Sequence, residues 1–215
     1  MAHSVAIFDV DGTLVDSAQM IQDCVNLALR ELGYPEQRGE QLRRWVGPPL
    51  SVSFRDFAEV PAHEIDTAIA TYRRHYSTMM FDVPIFDGII EALETLRTRG
   101  VTLAVATSKN HRYAEPILRE LGLSPYFAHV CGARSDDPAY DKARVILDAL
   151  TLLRADGIAT EDAVMIGDRH HDITGAHAHG LATIGVTWSG TDLAEFDTAD
   201  AIAHTPAELV AMISG

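Results

Sequence analysis

The sequence predicts an α/β protein with a mainly parallel sheet, helices on both faces, and a separate all-helical insertion. Three observations carry this. The run Val5-Ala-Ile-Phe-Asp-Val-Asp-Gly-Thr-Leu14 is apolar at its start, like a buried strand, and acidic where that strand should end. From residue 86 onward, strand-like and helix-like segments alternate. Between them, residues 17–82 show helical periodicity and almost no strand signal.

Taken in order, the first strand is followed by Gly12 and Thr13, which allow a tight turn. Ser17 is placed as the N-cap of a helix reaching about Leu32, stopped by Gly33. Gly47-Pro48-Pro49 breaks the helical stretch, and residues 63–78 form a further helix. Residues 88–99 carry Ile89, Ile90, Leu93 and Leu96 on one face and end at Gly100. Val101 to Ala106 reads as a strand, 111–121 as a helix ending at Gly122, and Ala128 to Cys131 as a short strand. A helix over 139–153 precedes a strand from Ala163 to Ile166 that runs into Gly167-Asp168. A helix to about His179, a strand over Ala182 to Val186, a strand at 200–203 and a helix at 206–213 complete the chain. The expected organisation is a Rossmann-like α/β core of residues 1–16 and 83–215, with a helical cap of residues 17–82.

The chain has 215 residues, enough for a core domain with a small insertion, and 47% hydrophobic residues, ordinary for a globular protein. No uninterrupted apolar run reaches the roughly 18 residues of a membrane span. A net charge of −14 argues against nucleic-acid polymers and anionic membranes as partners. Cys24 and Cys131 sit in apolar surroundings, without the spacing of a metal site or disulfide framework. The Met-Ala-His-Ser start lacks a leader pattern, so a cytoplasmic protein is expected. Oligomeric state is not legible.

The chemistry-bearing residues fall at strand ends. In an open α/β sheet, ligands bind at the carboxyl ends of the strands. Asp9 and Asp11, two apart on an extended chain, can face one small site. Two close anions need a cation or a proton between them. Thr107-Ser108-Lys109 follows another strand, Lys142 lies near a helix start, and Gly167-Asp168 with Asp172 follows a third strand. The histidines His170, His171, His177 and His179 read as a polar helix in preference to a zinc site, and Trp188 reads as packing.

Asp9-Val-Asp11-Gly-Thr13, Thr107, Lys142 and Gly167-Asp168-x-x-x-Asp172, in this order, resemble the haloacid dehalogenase superfamily of phosphatases. The likeness covers nearly the whole chain and includes the helical cap after the first motif. Gly167–Ala176 and Ala182–Trp188 look most like its phosphoglycolate-phosphatase-like branch. The resemblance implies a phosphomonoester hydrolase acting on a small phosphorylated metabolite, such as phosphoglycolate or a nucleoside monophosphate. Asp9 would be the nucleophile forming an aspartyl phosphate, and Asp11 the acid and base. Asp9, Asp168 and the carbonyl of Asp11 would hold Mg²⁺, with Asp172 a further or water-mediated ligand. Thr107 and the Ser108 amide would meet the phosphoryl oxygens, and Lys142 would neutralise charge between nucleophile and phosphate. Arg43 and Arg44 of the cap would contact a distal anion. Asp11 favours phosphoryl transfer, since dehalogenases of the superfamily lack this second acid. Lys142 is followed by Ala143-Arg144 in place of the Pro-x-Pro of many relatives. A phosphomutase of the β-phosphoglucomutase type and a non-enzymatic phospho-acceptor protein are the alternatives.

Overall fold

A computed structural model describes residues 2–134 and 140–215. Strand β1 (Val5–Phe8) is followed by α1 (Ala18–Glu31), α2 (Glu40–Arg43), α3 (Leu50–Phe57) and α4 (Ile65–Met79). Then come α5 (Ile89–Thr98), β2 (Thr102–Asn110), α6 (His111–Glu120), β3 (His129–Ala133) and α7 (Lys142–Ala155). The last elements are β4 (Val164–Gly167), α8 (His170–His177), β5 (Ala182–Val186), β6 (Ala201–Ala203) and α9 (Pro206–Ser214). The chain divides into two compact units, Met1–Asp16 with Ile85–Gly215, and Ser17–Pro84.

In the first unit the strands form a six-stranded sheet in the order β3-β2-β1-β4-β5-β6. Every pairing is parallel. Between neighbouring strands the chain crosses through helices, as parallel strands require. The order reverses beside β1, so the carboxyl ends of β1 and β4 open onto the switch point where α/β sheets bind ligands. Burial on both faces explains why β1 is apolar at every position. Val5 and Ile7 pack on one face with Ala104, Ala106, Met165 and the inner side of α7, from Val145 to Leu153.

The chain leaves β1 through one tight turn, in which the amides of Thr13, Leu14 and Val15 all donate to the carbonyl of Val10. Val15 then bridges Ile85, and the Phe86 amide donates to the Leu14 carbonyl at 3.1 Å. The departing and returning segments are thus tied together within this unit. A chain closed in this way tolerates a long insertion between them, because loop-closure entropy grows only slowly with length.

The second unit is helical. Met20, Ile21, Cys24, Val25, Ala28 and Leu29 make the buried face of α1, and Ala68, Ile69, Tyr72 and Tyr76 that of α4. Glu31 joins the two helices through Arg74 and through His75 at 2.9 Å. Trp45 and Phe54 meet edge to face with centroids 5.0 Å apart.

Several details differ from the sequence reading. Ser17 occupies the N-cap position of α1 but makes no side-chain capping bond. The Gly47-Pro48-Pro49 break separates two short helices whose bounds periodicity could not fix. Strand β2 continues four residues beyond Ala106, to Asn110. The helix expected from residue 139 begins at Lys142, capped by Asp141, whose carboxylate accepts from the Arg144 amide at 3.0 Å. Residue 139 itself lies outside the described residues.

Leu103 on β2 is 1% exposed, so Leu103→Ala should lower the unfolding free energy by about 2–5 kcal/mol. Leu193, 56% exposed, should tolerate the same change within about 0.5 kcal/mol. Urea denaturation followed by circular dichroism checks both values.

Candidate active site

Asp9 follows β1, and its amide donates to the Ile166 carbonyl of β4 at 2.9 Å. That bond continues the parallel ladder and brings the end of β1 level with the end of β4. Asp168 follows β4 directly, and Asp172 lies in the first turn of α8. One carboxylate oxygen from each of Asp9, Asp168 and Asp172 falls within 4.8 Å of the other two, and all three residues are buried.

Two glycines make this crowding possible. Gly12 has φ +76°, a left-handed conformation that favours glycine, and a Cβ there would overlap the Asp168 carboxylate. A Cβ on Gly167 would likewise collide with the carboxyl group of Asp172.

Lys142 is the cation among them. Its Nζ lies 2.8 Å from Asp9 Oδ1 and 2.7 Å from Asp172 Oδ1, and it donates to the Ala106 carbonyl at 3.1 Å. These contacts engage its three donor protons. Burial alone would push the ammonium towards neutrality, but the carboxylates of Asp172 and Asp9 outweigh it and raise its pKa. Asp172 serves the fold as well: its Oδ2 accepts from the Arg169 amide at 3.0 Å at the start of α8.

Three carboxylates and one ammonium leave two negative charges uncompensated if all the acids are ionised. The strain appears in the acids. Burial, then Asp172 and Asp9, push the Asp168 carboxyl up to about 8, against the pull of Arg169 and Ser189. Burial and Asp9 push Asp172 up to about 6, opposed by Lys142. A dianionic, oxygen-only donor set with a carboxylate raised this far fits a hard divalent cation. Asp9, Asp168 and Asp172 are the residues that could hold such an ion.

Asp11, expected to offer a metal its backbone carbonyl, keeps its side chain outside this set. Its Oδ2 is ion-paired with Lys109 Nζ at 2.8 Å. The reason is β2, which runs on far enough to deliver a lysine to that position. Any metal role for Asp11 is left to its backbone carbonyl. Thr107 is buried at the end of β2, and its Oγ1 accepts from the Lys109 amide at 3.2 Å. Ser108 is exposed. Arg43 and Arg44 belong to the helical unit, where Arg43 pairs with Glu40 at 3.0 Å and Arg44 lies 4.3 Å from the Phe57 ring centre.

Sequence reasoning missed the loop after β5. Ser189 and Thr191 each donate to Asp168 Oδ2 at 3.1 Å, and the Trp188 indole N–H donates to the Thr13 carbonyl at 3.0 Å. Trp188 is therefore a tether across the site as well as packing. The signal was available, since this loop also sits at the carboxyl end of a strand. Glu195 was missed too. It accepts from the His170 amide at 2.9 Å and the His170 ring at 2.6 Å, and pairs with Arg169 at 3.2 Å. Burial opposes ionisation of Glu195, but these partners hold it down at about 2. The His171 ring lies against that of His170, with centroids 3.8 Å apart, while His177 faces Asp200 at 3.5 Å and His179 lies 2.7 Å from the Ala143 carbonyl.

Residues 6–186 match the family model of the haloacid dehalogenase-like hydrolases, and the chain belongs to that family. Several of its relatives are named as enzymes of phosphoryl chemistry. It is 39% identical over 184 residues to a 5'-nucleotidase of Pseudomonas aeruginosa, covering 84% of this chain and 80% of that one. It is 36% identical over 198 residues to a phosphoglycolate phosphatase of Agrobacterium fabrum, covering 88% and 82%. It is 41% identical over 185 residues to the tyrosine-protein kinase PtkA of Mycobacterium tuberculosis, a match spanning 86% of this chain but 62% of the kinase. The solved structure of that kinase superposes with a TM-score of 0.85 at 38% identity, covering 99% of this chain and 98% of that one.

Two predictions follow from this geometry. Gly12→Ala should displace the Asp168 carboxylate and weaken Mn²⁺ binding at least tenfold by titration calorimetry, roughly the cost of losing one oriented ligand. The second concerns pH. Asp168 and Asp172 rise from the ordinary 3.8 to about 8 and about 6, so the folded protein holds more protons than the unfolded chain between these limits. Their contribution to stability is complete below about pH 4 and is lost as pH rises through those values. In chelator, the melting temperature should therefore fall between pH 5 and pH 8.5, and Asp168→Asn should flatten the decline. A wild-type melting temperature that does not fall over this range would contradict the assignment.

Proposed function

We propose that this chain is a Mg²⁺-dependent phosphomonoesterase that hydrolyses a small phosphorylated metabolite through an aspartyl phosphate on Asp9. The observation that carries the reading is the buried set of Asp9, Asp168 and Asp172 around Lys142, with the separate acid Asp11 alongside.

An Asp9 carboxylate oxygen attacks phosphorus as the bond to the leaving oxygen breaks. Asp11 gives its proton to that oxygen, and the alcohol departs. Water then attacks the phosphorus of the aspartyl phosphate and gives a proton to Asp11. The Asp9–phosphorus bond breaks, inorganic phosphate leaves, and both aspartates return to their starting states. Lys142 holds Asp9 in place and offsets charge on the transferring group. Thr107 and the Ser108 amide are assigned to the phosphoryl oxygens. Asp9 and Asp168, with the Asp11 carbonyl, are assigned to Mg²⁺, which when bound neutralises the phosphoryl oxygens and polarises them.

Phosphoglycolate and nucleoside monophosphates are the leading substrate class, supported by the names of two relatives. We assign substrate discrimination to the helical unit, with Arg43 and Arg44 as candidates for a distal anion. Both side chains are exposed, so neither has to leave a core to do this. Neither Cys24 nor Cys131 is in a disulfide, which supports a cytoplasmic location.

A second reading keeps the aspartyl phosphate and changes its acceptor. The 41% identity to a protein named as a tyrosine kinase favours a tyrosine hydroxyl, and a sugar hydroxyl would make the chain a phosphomutase. The fate of the phosphoryl group separates the readings. Release of inorganic phosphate from a panel of metabolite monoesters, dependent on Mg²⁺ and abolished in chelator, is expected. Label retained on the protein or passed to a tyrosine or sugar, without phosphate release, would favour transfer.

Asp9→Asn, nearly isosteric, should remove turnover and leave the melting temperature within a few degrees of wild type. Arg43→Ala with Arg44→Ala should raise KM for substrates with a distal anion and leave aryl phosphates unaffected. Steady-state kinetics on the two substrate types checks the latter.

A further inference from the structure

We propose that Lys109 is a positioning residue: it holds the Asp11 carboxylate out of the cation site formed by Asp9, Asp168 and Asp172. The proposal rests on the reading of Asp11 as the proton-transferring acid and goes beyond it by naming what keeps that acid available.

Asp11 lies two residues from Asp9, close to a pocket that carries excess negative charge and is suited to a divalent cation. A carboxylate in that position has two stable destinations. It can join the cation as a further ligand, or it can pair with another positive group. A carboxylate captured by the cation is poorly placed to give a proton to a leaving oxygen. Discrimination between these outcomes needs a competing cation, and Lys109 is that cation. Its Nζ lies 2.8 Å from Asp11 Oδ2, and the two side chains are 7% and 20% exposed. An ion pair this shielded is screened far less than a surface pair.

The backbone is shaped to put Lys109 there. Pairing of β2 with β3 is regular as far as Thr107 opposite Gly132, and the next pair is Asn110 opposite Ala133. Three steps along β2 therefore match one step along β3, and Ser108 and Lys109 form the bulge between. Bulges beside active sites re-aim side chains that a regular strand would send elsewhere. The bulge is fixed on two sides. The Lys109 amide donates to Thr107 Oγ1 at 3.2 Å. Opposite, a Cβ on Gly132 would come within 2.7 Å of the Lys109 carbonyl oxygen and of the His111 Cα, so the bulge seats only against glycine. What the bulge delivers is the lysine.

The test is a double-mutant cycle of Lys109→Met and Asp11→Asn, with Lys109→Arg as the conservative variant and thermal melts as the check on folding. Mn²⁺ affinity is read by titration calorimetry. Turnover is read on p-nitrophenyl phosphate, a good leaving group, and on an alkyl monophosphate, a poor one. If Lys109 restrains Asp11, Lys109→Met tightens Mn²⁺ binding by about five- to tenfold, and has no such effect when Asp11 is already Asn. It lowers kcat on the alkyl ester by about 10²-fold and on the aryl ester much less, with KM unchanged. In the Asp11→Asn background it causes no further loss, and Lys109→Arg restores most of the alkyl-ester rate.

Equal tightening of Mn²⁺ in both backgrounds would mean that only the charge of Lys109 matters, and would overturn the proposal. So would additive kinetic losses, or a rise in KM for both esters, which would put Lys109 on the substrate. Absence of phosphate release by the wild-type protein from either ester would instead remove the hydrolase reading. The Mn²⁺ cycle would still decide whether Lys109 restrains Asp11.

Discussion

The structure depends on the need to hold like charges together in a dry place. Asp9, Asp168 and Asp172 converge within 4.8 Å at the ends of β1 and β4, where water cannot screen them. Lys142 bridges two of them, at 2.8 and 2.7 Å. Breaking such a buried pair leaves an uncompensated charge, a penalty of about 3–5 kcal/mol. The lysine therefore has a structural duty before it has a chemical one. Its remaining proton goes to the Ala106 carbonyl, which ties the start of α7 to the strand that ends in Thr107. Positions on β1, β2, α7 and α8 are thereby fixed relative to one another by a single ammonium group.

That ammonium accounts for one charge out of three. The remainder shows as the Asp168 carboxyl, raised to about 8 and supported by the hydroxyls of Ser189 and Thr191. A fold that buries such a group without a cation accepts a standing instability, and active sites are where this is tolerated. The same carboxylate is what a hard cation binds. A cation bound there would return that stability, which would link folding to its binding.

The fold was largely legible because its signals were periodic. Continuous apolar runs announced β1 and β4, and amphipathic spacing announced α1, α4 and α5. The sequence resemblance pointed to Asp9, Lys142, Asp168 and Asp172, and the structure brings these four together. What was not legible depended on register and on backbone proximity. The bulge at Ser108-Lys109 exists only as a mismatch between two strands, and a single strand carries no record of its partner's count. Placing Asp9 and Asp11 at one small site followed from the two-residue period of an extended chain, but where each carboxylate points is set by the tight turn on the Val10 carbonyl, which that period does not describe. Ser189 and Thr191 were hidden for another reason: a hydroxyl's role is set by what lies beside it, and nothing in Trp-Ser-Gly-Thr names Asp168.

Two kinds of site residue therefore emerge, and they differ in how the fold secures them. Asp9 and Asp168 sit directly after strands whose pairing is regular, so their positions follow from the sheet itself. Lys109 and the residues of the loop after β5 depend on departures from regularity, a bulge in one case and a turn in the other. Glycine appears at the crowded points of both kinds: Gly12 and Gly167 beneath the carboxylates, Gly132 opposite the bulge. Removing side-chain bulk is what lets backbone and carboxylate approach to distances that ordinary packing forbids. Changes at these glycines would act on the chemistry without touching any group that reacts. In this site, the precision of the acids is a property of the residues that have no side chain.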